Sequence, residues 1–208
     1  MIVSVNDIVG SLVYRTRTAL NKNSAFLDGV RVYEFSPTVM NDNKLSLWHY
    51  PGTQSEISGM FLSLKEVPQF KFPSVFNFQS IKQERGESIT VFLNLAIVAP
   101  VISEWDTQTR DGKVFKLVLR HIYEEFINQV GSSGYFNIPM HGINHTYHEV
   151  FTTGKSYTSI IEINYGDYFD AIEMANLRLQ LRNDLCPSDV KMIEEENAKV
   201  AEGINNLI

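Results

Sequence analysis

Within this 208-residue chain, the stretch His141-Gly-Ile-Asn-His145-Thr-Tyr-His148, followed at once by Glu149, carries the residue types most open to chemistry. On a helix, spacings of four and three would aim three imidazoles at one metal ion. Pro139, Gly142 and the strand-like alternation beyond them argue against a helix there. The expectation is therefore loop histidines with no metal and no cofactor. A small metal-dependent enzyme using His141, His145 and His148 is the alternative.

The other chemical candidates read as structural. Gly131-Ser132-Ser133-Gly134 lacks the Lys-Ser/Thr and following helix of a phosphate-cradling loop, and is expected to stop a helix. Cys186 has no Cys/His signature around it and is expected to be a small buried thiol. Asp167 and Asp170 flank Tyr168-Phe169 and could share acid–base work or magnesium, but two acids in a turn beside Gly166 need no such role. Neither a Gly-x-Ser-x-Gly elbow nor a His-Glu-x-x-His pair occurs. No catalytic residue is assigned.

The elements that must carry these residues follow from periodicity. Ser4 or Asn6 can cap a first helix to about Leu20, with Val5, Ile8, Val9, Leu12 and Thr16 on one stripe. Val30 to Phe35 alternates and reads as a strand. The span 36–72, rich in Pro, Gly and Asn, reads as an extended excursion. Short strands around Leu45–Tyr50 and Gly59–Leu64 could pair across Pro51-Gly52 within it. Phe72–Phe78 is a strand, Gln79–Glu87 a polar turn, and Ile89–Val98 a strand apolar on both faces.

Asp106 or Thr107 caps a long helix to Val130, closed by Gly131. Phe115, Val118, Leu119, Ile122, Phe126 and Val130 form its buried stripe, and Arg110 and Arg120 are mostly solvated; Gly112 weakens its first turn. Tyr147–Thr152 and Tyr157–Tyr165 read as strands joined across Gly154. Ile172–Arg182 reads as a further strand, because Leu177, Leu179 and Leu181 alternate with polar residues. Pro187 opens a C-terminal helix through 208, with Ile193, Val200 and Ile204 as anchors and Glu194-Glu195-Glu196 as its solvated face. A helix so thinly apolar is expected to dock on a neighbour. The order of elements predicts a single α+β domain: an antiparallel-rich or mixed sheet with helices packed on one face.

The formal charge is -6, against the basic patch of a free nucleic-acid binder. One cysteine excludes an internal disulfide. Met1–Asp7 lacks the positive start of a signal peptide, and the most apolar stretch, Val91–Ile102, is too short to span a bilayer. The expectation is a soluble chain made in the cytoplasm, with no membrane partner.

Three segments together resemble the core of tailed-phage tail-terminator and neck (head–tail connector) ring proteins. They are Phe72-Pro73-Ser74-Val75-Phe76-Asn77-Phe78, Ile89 to Val98, and the helix Phe115 to Phe126. The ending Tyr168-Phe169-Asp170-Ala171-Ile172-Glu173, leading into an alternating strand, is similar to such proteins as well. The aromatic-rich style and the extension from Pro37 to Pro68 look most like proteins of crAss-like phages of gut Bacteroidetes, while the long 36–72 segment and the acidic C-terminal helix depart from the family's minimal pattern. The resemblance implies a structural virion protein, not an enzyme. Six or twelve copies would close into a ring in the neck or tail. Portal, neck or tail proteins would sit next to it, and DNA would pass through the lumen without specific binding. Trp48, Tyr50 and Phe61 are then candidate interface anchors, or else a local mini-core beneath the excursion. A monomeric host-binding module with 36–72 as its ligand loop is a third reading.

Overall fold

Ser4 caps the first helix, α1 (Val5–Leu20), its side chain accepting from the Asn6 N–H, and the expected stripe is buried along it. The computed structural model describes residues 4–64, 67–85, 89–151, 155–158, 161–164 and 168–205. Asn23 then caps α2 (Ser24–Arg31), in which Phe26, Leu27 and Val30 are buried. The strand expected at Val30–Phe35 is thus the end of a helix followed by turns. Helical spacing of three apolar residues behind a capping Asn outweighs a short alternation.

The span 36–72 is no excursion. It begins with α3 (Ser36–Val39) and a small hairpin of β1 (Met40–Asn41) and β2 (Lys44–Leu45). Asp42 and Asn43 at the hairpin tip both take positive φ, 49° and 59°, as a tight two-residue turn requires. Next, β3 (Trp48–Gly52) joins the main sheet, parallel to β4 (Ser74–Arg85). The expected strand Gly59–Leu64 is instead part of α4 (Gln54–Ser63). Thr53 and Glu56 form a reciprocal capping box at its start, a signal present in the text as Thr53-Gln-Ser-Glu56.

The polar turn expected at Gln79–Glu87 is mostly strand, since β4 continues to Arg85 before β5 (Ile89–Pro100) returns. The long helix starts at Asp106, as expected. It is built from α5 (Thr107–Arg110), a π-helical segment Asp111–Leu119, and α6 (Arg120–Ser132). All six predicted stripe residues are buried. The helix passes through Gly131, and the left-handed glycine is Gly134, at φ +76°.

After it come β6 (Phe136–Asn137), β7 (Thr146–Phe151), and a separate ladder of β8 (Lys155–Thr158) with β9 (Ile161–Asn164). The junction at Gly154 lies outside the described residues. β10 (Phe169–Leu181) and α7 (Pro187–Asn205) complete the chain.

The main sheet runs β3-β4-β5-β10, with β6 and β7 both paired along the outer side of β10. All its pairings are antiparallel except β3 with β4, so the fold is α+β with a mixed sheet. Two bulges fall at one level. Asn176, at φ +55°, sits in a bulge of β10, and an irregularity in β4 lies between Phe78 and Lys82; both face the Leu93–Asn94 step of β5. Extra residues in the two strands flanking one strand bend the sheet there.

Residues pointing to one face, such as Val75, Leu95, Ile97, Ile172 and Met174, are buried on the side covered by α1 and the π segment. Helices are not confined to that face. Phe61 of α4 packs edge-on against Tyr50 and Phe76 at ring separations of 5.4 and 5.1 Å, covering the opposite side of β3 and β4.

α7 docks on its own chain, against α1. Ile193 and Val200 are buried, and Glu196, expected in solvent, accepts from Arg15 Nε at 2.8 Å and Ser11 Oγ at 2.5 Å. Asn197 donates to Asp7 at 2.8 Å. Asn197 and the buried His49 of β3 come so close to α1 that a Cβ on Gly10 would lie 1.7 Å from Asn197 Oδ1.

Candidate functional site

Alternation along β7 divides its side chains between two faces, and the register with β10 fixes which. Tyr147, Glu149 and Phe151 stand opposite Met174, Ile172 and Asp170, on the side of the helices. Thr146, His148 and Val150 point the other way.

On the helix side a chain of polar contacts links β7 to the π segment and α6. Arg120 grips Glu149 with two hydrogen bonds, 2.7 Å from Nε and 2.9 Å from Nη2, and donates a third to Asp111 at 2.5 Å. The Tyr147 hydroxyl donates to Glu149 at 2.5 Å. Its ring meets Tyr123 edge-on at 4.8 Å. The Tyr123 hydroxyl lies 2.8 Å from His145 Nε2, and His145 Nδ1 is 3.1 Å from the Ile143 carbonyl. Beyond the ion pairs, Phe151 packs on Phe115 at 4.9 Å.

The π segment makes this cluster possible. Nine residues separate Asp111 from Arg120. In an α-helix that is about two and a half turns, which would put them on opposite sides of the axis. The wider turn, in which the Arg120 N–H reaches back five residues to the Phe115 carbonyl, brings both onto one side.

The electrostatics match the geometry. Hydrogen bonding from Arg120 holds the Glu149 carboxyl below its ordinary range, and the Glu149 bonds raise Arg120 in turn. Burial, then its bond to the Glu149 carboxylate, pushes the Tyr147 hydroxyl up. Glu149 is therefore held as a carboxylate against the Arg120 guanidinium at neutral pH. Chemically the arrangement clamps: it fixes the edge strand to the helical layer while Tyr147 and Phe151 stay 37% and 38% exposed at its two ends.

The histidines do not converge. His141 lies exposed in the loop before β7, His145 is tied to Tyr123, and His148 points to the opposite face, across from Glu173. Among the described residues, no group of three or more His, Cys, Asp and Glu could hold a metal ion. Trp48, Tyr50 and Phe61 are 9%, 0% and 0% exposed, so they build the core and offer a neighbour almost no surface. That corrects their candidacy as exposed anchors.

Cys186 is exposed, not buried. It sits just before α7, with its Sγ 2.8 Å from Ser188 Oγ and 3.1 Å from Asp189 Oδ2. Asp167 lies outside the described residues. Asp170 is fully buried and paired at 3.1 Å with Arg110, itself buried and not solvated as expected. No local pattern announces the Arg110–Asp170 or Arg120–Glu149 pairs, because 60 and 29 residues separate the partners. Asp111 to Arg120 is local, but only the π geometry joins it.

No described helix is long and apolar enough to cross a membrane. Comparison with known proteins found no match: no family model, no curated protein and no solved structure is similar to this chain.

Proposed function

We propose that this protein is a structural subunit rather than a catalyst, and that it associates edge-on with further copies into a ring of the kind that joins head and tail in tailed phages. The outer edge of β7 is the observation that supports this most. Among the described residues β7 pairs only with β10, so its other side presents backbone donors and acceptors without a strand partner. Such an edge is a ready template for another chain, and proteins usually protect it. Here β7 itself carries the exposed Tyr147 and Phe151, side chains that favour contact over protection.

A closed ring needs a second, different patch on each copy. Val32, 73% exposed and close in the chain to the Phe35–Trp105 ring pair, supplies one. On this reading six or twelve copies surround a lumen through which DNA passes, portal, neck or tail proteins stack above and below, and the protein resides in the virion.

Light scattering after size exclusion, with native mass spectrometry, tests the proposal. The wild-type chain should form a closed oligomer, alone or with neighbouring virion proteins. Thr146→Lys with His148→Lys, two exposed positions facing away from the ion-pair cluster, should abolish it while the fold persists. A chain monomeric at every concentration and with every such neighbour, or an edge variant that assembles like the wild type, would refute the reading.

A further inference from the structure

A groove of about 570 Å³ opens between the end of α1, the β1–β2 hairpin and the 3-10 turn Pro68–Phe70. It is separate from the β7 cluster. Its volume lies in the range of small-molecule sites, roughly 300–1,000 Å³.

One wall is aromatic. Trp48 and Phe70 pack with ring centroids 5.2 Å apart, and both line the groove. Trp48 is 9% exposed and donates its indole N–H to the Gln69 carbonyl at 3.0 Å, so it backs the half-buried Phe70 ring, which is the main aromatic face the groove offers a ligand. The rim is cationic. Arg17 and Lys44 line it against one carboxylate, Asp42, in a chain whose net charge is -6. Arg17 gives one of its donors to the Lys199 carbonyl at 3.1 Å and lies over the Tyr14 ring at 5.5 Å. Those two contacts hold the guanidinium in place and use a minority of its five N–H groups.

The groove is also braced before any ligand arrives. Asn21 accepts from the Leu45 N–H at 2.6 Å and donates to the Leu45 carbonyl at 3.1 Å, clamping the hairpin to the end of α1. Asp42 and Asn43 hold the tight turn at its tip.

An aromatic wall under two cations matches one ligand chemistry: a planar aromatic ring carrying an anionic group. The ring stacks or packs on the apolar wall, and Arg17 and Lys44 receive the anion. We propose that this groove binds such a molecule, either a nucleoside monophosphate or an aromatic carboxylate. The inference does not rest on ring assembly.

The test is titration of the full chain with deoxyadenosine 5′-monophosphate and, separately, indole-3-acetate, followed by calorimetry. Deoxyadenosine and indole serve as the uncharged counterparts. Saturable binding of at least one anion is expected, with the matched neutral compound weaker by about tenfold or more, the size of a lost charged hydrogen bond. Which anion binds identifies the source of the ligand. Lys44→Glu, at an exposed position that leaves the core alone, should weaken binding by at least about the same factor. Failure of both anions to saturate, equal binding of the neutral compounds, or wild-type affinity in Lys44→Glu would each overturn the assignment. Oligomeric state measured on the same Lys44→Glu sample should be unchanged, which keeps this result distinct from the assembly test.

Discussion

Acidification should loosen the fold through one residue, His49. Its ring is buried between β3 and the α1–α7 pair, beside Gly10 and hydrogen-bonded to the Asn197 side chain. Burial dominates and lowers its pKa from 6.5 to about 4, with the Asn197 bond opposing weakly. The unfolded chain therefore binds a proton near pH 6.5 that the folded chain refuses until near pH 4. Between those values stability falls as pH falls, and above pH 6.5 the contribution is complete. Linkage puts the loss at about 2 kcal/mol from pH 7 to pH 5, and about 3 kcal/mol by pH 4.

Other carboxylates titrate in the same window, so the measurement must be a difference. Urea unfolding at fixed protein concentration, at pH 7 and pH 5, would be compared for the wild type and His49→Asn. Asparagine keeps a polar atom near the Nδ1 position and cannot take a proton. The variant should be less stable at pH 7, because the smaller side chain leaves space, yet should lose about 2 kcal/mol less than the wild type on going to pH 5. Equal pH slopes in the two proteins would refute the reasoning, whatever their absolute stabilities.

Asp170→Asn removes the carboxylate charge opposite the buried Arg110 guanidinium and should cost about 3–5 kcal/mol in denaturant unfolding, whereas Arg110→Met with Asp170→Leu should recover most of it. Gly10→Ala forces a Cβ against Asn197 and should lift α7, costing about 1–3 kcal/mol and speeding hydrogen exchange across Pro187–Asn205; adding Asn197→Ala should restore protection. Arg120→Lys keeps the charge but loses the two-pronged grip on Glu149, so exchange of the Thr146–Phe151 amides should accelerate while that of Ile89–Pro100 is unchanged.

Much of the architecture is legible in the text wherever an element is long and strictly periodic. The α1 stripe, the two-faced run Ile89–Val98, the Phe115–Val130 stripe and the Leu177–Leu179–Leu181 alternation all appear in the structure as read. Short or proline-rich stretches misled. Val30–Phe35 alternates by chance at the end of a helix. The 36–72 span hides a core strand, because β3 is completed only by parallel pairing with β4, a contact with no sequence period of its own. Trp48, Tyr50 and Phe61 looked like surface aromatics for the same reason. The sheet they fill is not visible until β3 is placed in it.

The candidate site was less legible still. His145 stands out as a histidine, yet its role is set by Tyr123, and His148 is turned away from it by the period of the strand. Asp111, Arg120 and Glu149 look like ordinary solvated charges one by one.

Residue order alone therefore determined the α+β class, the long helices and central strands, and the buried stripes, because these depend on local spacing of apolar side chains along the backbone. Tertiary structure alone decided which charges are paired, that α7 folds back on α1, and that among the described residues β7 pairs only with β10. Those outcomes depend on groups brought together from 29 to 190 residues apart, and on a π turn that rotates Asp111 and Arg120 to one side. A charge has no period, so its partner appears only when the chain is folded.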